Sequence, residues 1–180
     1  MIKFADLLNF AITSGKLKKL KRSGWVRHKI KDSESVADHS FRTAILAFIL
    51  AKDFSLNREK VICMSLIHDL AESEIGDITP NDNVSNEEKH RMEAKAMRKI
   101  CSSIPNGNEI ISLFEEFEEG ETAEAKFVKI VDKFEMMIQS YEYGIAQPNI
   151  DLKEFWDFGE KQDFGVLYDK FNSLKQLRNK

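Results

Sequence analysis

The chain is predicted to be all-α, a single compact helical bundle, and three observations carry that prediction. Apolar residues recur at helical spacing through most of its 180 residues, the pattern of helices with one buried face. It holds only three prolines and eight glycines, so few segments are punctuated in the way a turn-rich fold requires. No pair of runs reads as two strands joined by a turn. With 42% hydrophobic residues, a chain of this length can bury one sizeable core, and no second domain is expected.

The elements follow in order. A first helix is expected over residues 2–19, with Ile2, Ala5, Leu8, Phe10 and Ile12 toward a core and Gly15 interrupting or bending it. A basic loop leads through Gly24 to a second long helix, 36–54, which should bury Ala44, Ile45, Phe48 and Ile49. Asn57 is a good N-cap for a third helix, 58–74. The run from Gly76 to Asn83 is dense in turn formers and reads as a loop. Ser85 and Glu88 have the spacing of a capping box for a helix reaching about residue 103, which Pro105-Asn106-Gly107-Asn108 breaks. Two more helices are expected, one over 109–119 and one from just after Thr122 to near Gly144. The body of the domain is thus read as residues 4–147. A helical extension over 151–178 opens with a box-like pair, Asp151 and Glu154, and carries aromatics that suit a core or a dimer contact. No internal repeat or low-complexity segment occurs.

Composition narrows the classes of function. A formal net charge of −3 gives no general attraction for nucleic acid or for an anionic membrane, and neither is expected as a partner. The one concentrated basic run, Lys16 to Arg22, reads either as a guide for an anionic substrate or as a solvated helix end. Cys63 and Cys101 lie in different segments without C-x-x-C spacing, which suits two core thiols in a reducing compartment. The longest apolar stretch, 44–51, is far below the roughly 20 residues of a membrane span, and the N-terminus lacks signal-peptide features. A cytoplasmic location is expected.

The chemistry is concentrated at His68-Asp69, which ends the apolar run Val61 to Ile67. Two adjacent polar side chains against a hydrophobic face are costly to bury uncompensated. A metal ion would compensate them, and so would a simple imidazole–carboxylate pair. His39 and Asp132 lie in similar settings and complete a His₂Asp₂ donor set for one divalent ion. Asp132 also has Lys129 and Lys133 nearby, the neighbours of an ordinary surface carboxylate. On a continuous helix, Glu72 would lie over the patch lined by His68 and Asp69. A bound divalent cation lowers the pKa of a coordinated water from about 15.7 toward neutrality, and Glu72 would stand beside it as general acid or base. Only His28 and His90 remain as further histidines, and His90 sits on a strongly charged, solvent-facing helix, so a single ion is expected.

The order His39, His68-Asp69, Asp132, with about thirty and then about sixty residues between, resembles the HD-domain metal-dependent phosphohydrolases. The strings Arg22-Ser23-Gly24-Trp25-Val26, Glu34 to Ser40, His68-Asp69-Leu70-Ala71-Glu72, Gly76-Asp77-Ile78 and Val131-Asp132-Lys133 resemble the 5′-deoxynucleotidase branch. The resemblance runs from about residue 4 to 147. It implies that His39, His68, Asp69 and Asp132 bind the metal and that Glu72 is catalytic. It implies that Asp77 contacts the sugar, while Arg22 and Trp25 line the nucleotide site, Arg22 toward phosphate and Trp25 as a stacking face. Many relatives carry an arginine three residues after this tryptophan; here His28 stands there, with Arg27 one place earlier, and both are further phosphate candidates. The implied reaction is hydrolysis of deoxyribonucleoside 5′-monophosphates, and the implied assembly a homodimer. Alternatives are a sister phosphohydrolase acting on nucleoside triphosphates or an alarmone, and a metal-containing sensing module without turnover. Manganese, cobalt, nickel, magnesium and zinc all suit the donor set. Neither base preference nor strictness for deoxyribose is legible.

Overall fold

The computed structural model describes residues 1–179. Its elements are α1 (Phe4–Ser14), α2 (Ser23–Arg27), α3 (Val36–Leu50), α4 (Arg58–Ile67), α5 (Glu72–Ile75), α6 (Asn86–Cys101), α7 (Gly107–Glu119), α8 (Ala123–Ala146), α9 (Lys153–Glu160) and α10 (Tyr168–Arg178). Short 3₁₀ turns extend several of them. Among the described residues, the one extended pairing is an isolated antiparallel bridge between Lys21 and Ser35. The all-α prediction therefore holds.

Side-chain caps start the helices that matter most. Ser35 and Asp38 form a reciprocal capping box at the head of α3, and Asn57, Ser85 and Thr122 cap α4, α6 and α8. Helices α3, α4 and α8 pack against one another as the heart of the fold, and α7 joins them. Val61, Met64, Val128, Val131 and Phe134 belong to the larger apolar cluster; Val36, Leu70, Met97 and Phe114 belong to a second cluster beneath α5 and α6. The C-terminal extension is seated on α8. Gly159 permits a close approach, since a Cβ there would lie 2.6 Å from the Met137 sulfur.

Four expectations need correction. The first helix is shorter than predicted, and none of its residues is buried: Leu8 and Ile12 are exposed and Phe10 is only half-buried. Apolar side chains surround α1, but only one side of so short a helix meets the body. Ile45, Phe48 and Ile49 on α3 are also exposed, whereas Ser40, Thr43, Ala44 and Ala47 are buried. The small residues allow close approach of α4 and α8, which leaves the large ones outside. Cys63 is exposed, unlike the buried Cys101.

The third predicted helix is not continuous. After Ile67 the hydrogen bonds tighten to i→i+3, with Leu70 N–H donating to Ile67 O and Glu72 N–H to Asp69 O at 2.9 and 3.0 Å. The His68 ring occupies the Ser65 carbonyl at 2.7 Å, a group that an uninterrupted α-helix would bond to the backbone N–H of residue 69. Gly76, at φ +84°, then ends α5 with a conformation that favours glycine.

Candidate active site

The first turn of α3, the tightened segment after α4, the head of α5 and the middle of α8 converge on the floor of a cleft of about 750 Å³. His39 Nε2 lies 3.0 Å from Asp132 Oδ1 and 3.8 Å from Asp69 Oδ2; His68 Nε2 lies 3.2 Å from Asp69 Oδ2 and 3.9 Å from Asp132 Oδ1. All four predicted donors are therefore together. Lys129, one of the two cations offered as an alternative partner for Asp132, instead bonds the Glu118 carbonyl.

Each imidazole is held through its other nitrogen. His68 Nδ1–H donates to Ser65 O, and His39 Nδ1–H donates to the fully buried Glu135 carboxylate. Both Nε2 atoms are thereby directed inward, the arrangement that orients histidine ligands in metal sites. His68 Nε2 is buried and, despite its closeness to Asp69, makes no aligned hydrogen bond. That orphaned atom, beside two carboxylates, fits a divalent ion better than a satisfied core pair. His39, His68 and Asp69 also present donor atoms within 4.8 Å of one another.

Electrostatics favour positive charge at this point. Burial and Arg22 oppose protonation of His39, but its bonds to Asp132 and Glu135 prevail and lift its pKa to about 10. Burial would raise the Asp69 pKa, yet His68, Arg22 and His39 hold it well below the usual carboxylate range. The imidazoles thus hold protons tightly beside carboxylates that stay ionised, and a divalent ion would compete for the same imidazole lone pairs.

Glu72 stands at the head of α5, three residues after Asp69, where i→i+3 winding brings side chains onto one side. It is buried, and its Oε2 has no hydrogen-bond partner. Burial, with Asp69 and Asp77 nearby, pushes its pKa well above the ordinary value. Arg22, at the N-cap of α2, reaches Asp69 Oδ2 at 3.3 Å and lines the cleft. Asp77 lines it too. Its carboxylate accepts from Ser23 N–H and its carbonyl from Ser23 Oγ at 2.8 Å, fastening the loop after α5 to α2.

Trp25 departs from expectation. It borders the cleft but is 1% exposed, stacked on Phe155 at 4.0 Å with its indole N–H donating to Glu34. An open stacking face is absent because α9 covers it. Arg27 and His28 both bind Glu154 of α9, at 2.7 and 2.9 Å, so Arg22 is the arginine beside the donor cluster. In the basic run, Lys16 pairs with Glu74 and Lys21 bonds the Ser33 carbonyl, both structural uses. His90 is exposed, as predicted, and bonds Glu118.

Sequence reasoning missed Glu135, Arg42 and the contribution of α9. Arg42 Nε donates to Glu135 at 2.6 Å and its other nitrogens reach Glu142 and Gln139. A glutamate between Phe134 and Met136, one turn after Asp132, was the available signal. Glu34 and Glu135 also lie near His39, and Glu135 occupies its Nδ1.

A helical bundle with two histidines and two aspartates converging on a cleft floor defines a class of proteins built around a His–Asp centre. The chain belongs to the HD domain family, whose model matches residues 14–164. It is similar to the human 5′-deoxynucleotidase HDDC2, 44% identical over 155 residues, which cover 84% of this chain and 76% of the human one. It is also similar to the 5′-deoxynucleotidase hdd1 of Schizosaccharomyces pombe, 46% identical over 147 residues covering 78% and 74%. Among solved structures, the PH0347 protein from Pyrococcus horikoshii matches with a TM-score of 0.81 and 31% identity, covering 94% of this chain and 99% of that one.

Proposed function

We propose that the chain is a metal-dependent 5′-deoxynucleotidase, hydrolysing deoxyribonucleoside 5′-monophosphates to deoxyribonucleoside and phosphate. The observation that carries this reading is the unpaired Glu72 carboxyl oxygen in the cleft lined by Asp69 and Asp132, with His39 and His68 buried against those two carboxylates, in a chain whose curated relatives bear that name. His39, His68, Asp69 and Asp132 would hold one divalent ion, of which manganese, cobalt, nickel, magnesium and zinc all suit the donors. When bound, such an ion supplies Lewis acidity toward the phosphoryl group and acidifies water.

The chain's own groups do the rest. Arg22, oriented by Asp69, offers remaining guanidinium N–H groups to phosphate oxygens. Glu72, whose raised pKa lets it hold a proton, donates that one proton to the departing 5′ oxygen and regains one from the water consumed before the next turnover. Asp77 acts mainly by holding its loop, which forms the wall next to the sugar. Trp25 supports the site from behind as a buried plate.

The whole chain is read as one HD domain with its extension packed on α8. The exposed row Phe41, Ile45, Phe48 and Ile49 supports a homodimer. Among the described residues, no helix is long and apolar enough to cross a membrane, and the net charge of −3 offers nucleic acid no general attraction; a cytoplasmic location fits both.

The test is phosphate release from deoxy- and ribonucleoside mono- and triphosphates with several divalent metals, for the native chain and Glu72→Ala. Metal-dependent turnover of deoxynucleoside monophosphates, lost by about 10²–10⁴-fold in the variant, is expected. Turnover of triphosphates alone would transfer the chain to another phosphohydrolase activity. No turnover with metal bound would make it a sensing module.

A further inference from the structure

The cleft holds a second cation, Lys89, that the chemistry above does not use. Lys89 lies on α6, and its Nζ is 3.1 Å from the Ile78 carbonyl oxygen and 3.6 Å from Glu93 Oε1. It lines the cleft together with Arg22, Asp69, Glu72 and Asp77. Of the other cations at the cleft, Arg27 pairs with Glu154 and Lys153 with Asp157, while Lys161 is exposed at the end of α9. Arg22 and Lys89 both favour the ionised form of Glu72, against burial and the Asp69 and Asp77 carboxylates.

We propose that Lys89 is a substrate-binding residue that contacts the phosphate group from α6 while Arg22 contacts it from α2. The argument is one of charge and of donors. Asp69, Glu72, Asp77 and Asp132 all face this cleft, and a phosphate dianion entering it would be repelled. With Glu72 protonated, a divalent ion and Arg22 offset Asp69, Asp77 and Asp132, and Lys89, whose charge is shared with Glu93 at 3.6 Å, is the further cation facing the incoming dianion. Without Lys89 the loaded site would be no better than neutral toward a dianion. The ammonium also has donors to spare. It has three N–H groups, and the structure commits one to Ile78 O, while Glu93 lies beyond hydrogen-bond distance. Burial works against its charge, but Glu93, Glu72, Asp69 and Asp77 keep its pKa above the ordinary lysine value, so it is cationic at neutral pH.

This inference rests on the proposed function for the identity of the ester, and on the cleft alone for its phosphate. Inorganic phosphate is therefore the probe. Its affinity for the chain loaded with magnesium or zinc is measured by ³¹P NMR titration for the native protein, Lys89→Met, Lys89→Gln and Lys89→Arg, alongside metal affinity and circular dichroism. Lys89→Met is expected to weaken phosphate binding about 10- to 100-fold, as for loss of a charged hydrogen bond, with metal affinity retained. Lys89→Arg should recover most of it. Lys89→Gln retains an amide donor for Ile78 O without the charge, so it should fail like Met if the charge binds phosphate. Native phosphate affinity in a folded Met or Gln variant would overturn the proposal, and so would a native chain that binds no phosphate. A chain whose phosphate affinity depends on Lys89 but which turns over no deoxynucleotide would refute the nucleotidase reading and leave this one standing.

Discussion

Replacing Glu135 by glutamine tests whether the Nδ1 partner of His39 governs metal binding. Glu135 is fully buried; one carboxylate oxygen accepts from His39 Nδ1–H and the other from Arg42 Nε–H at 2.6 Å. A glutamine has one acceptor oxygen and one donor NH₂ in the same space. If the oxygen faces Arg42, the NH₂ meets His39 Nδ1 and selects the tautomer with the proton on Nε2, which cannot bind a metal. If the oxygen faces His39, the NH₂ confronts the Arg42 donor, and the imidazole loses the negative charge that makes it a strong base. Either outcome weakens the site by about 10- to 100-fold in metal affinity, or ~1.4–2.7 kcal/mol. The fold should survive, because Arg42 keeps Glu142 at 2.7 Å and Gln139; a stability loss of about 1–3 kcal/mol is expected. Manganese titration followed by electron paramagnetic resonance, with a thermal melt of the same samples, separates the two effects. Native manganese affinity in folded Glu135→Gln would refute the reasoning.

Trp25→Ala should lower stability by about 3–5 kcal/mol in denaturant titration, whereas Trp25→Phe, which can keep the stack on Phe155, should leave KM for a deoxynucleotide nearly unchanged. A selective rise in KM for Trp25→Phe would restore the stacking role. Burial pushes the Glu93 pKa up to about 6, with Glu118 and Asp69 adding to it against Lys89. Since the folded value lies above the unfolded one, ionisation costs stability as pH rises from about 4.5 to about 6. The penalty is absent below that window and complete above it. Glu93→Gln should therefore stabilise the protein by about 1–2 kcal/mol at pH 7.5 and by much less at pH 5, and a pH-independent difference in thermal melts would exclude this cause. Ile45→Asp with Phe48→Asp should convert a particle of about twice the 20.8 kDa chain mass into a monomer in analytical ultracentrifugation. A native monomer would remove the dimer.

The parts of the site legible in the sequence are those whose signal is local or ordered along the chain. His68-Asp69 at the end of an apolar run announces itself, and the order of His39 and Asp132 around it carries the family resemblance. Helix starts were legible for the same reason, because Ser35, Asn57, Ser85 and Thr122 act within three residues of their own position. Which side of α3 is buried was not. Apolar residues occupy more than one side of that helix, and only the approach of α4 and α8 decides that Ala44 and Ala47 go inside while Ile45 and Phe48 stay out. The covering of Trp25 by Phe155 joins residues far apart in the chain, and periodicity carries no information about such a pair.

The two imidazoles show the same division within a single site. His68 is oriented by its own backbone, three residues back, so its ring direction is built with the end of α4. His39 is oriented by Glu135 from another helix, and Glu135 in turn by Arg42, one turn of α3 after His39 itself. Helices α3 and α8 are thus tied by a closed circuit: His39 to Glu135, Glu135 to Arg42, and Arg42 back along α3. The circuit holds the Asp132 and His39 donors at a fixed separation, since Asp132 and Glu135 are a helical turn apart on α8. It also places a carboxylate behind His39, where it increases the basicity of the inward Nε2, while His68 has only a neutral carbonyl behind it. The pair is therefore electronically unequal: the stronger donor is the one whose orientation depends on packing between helices. Repacking of α3 against α8 would reach the centre through His39, whereas His68 keeps its aim as long as the last turn of α4 is intact.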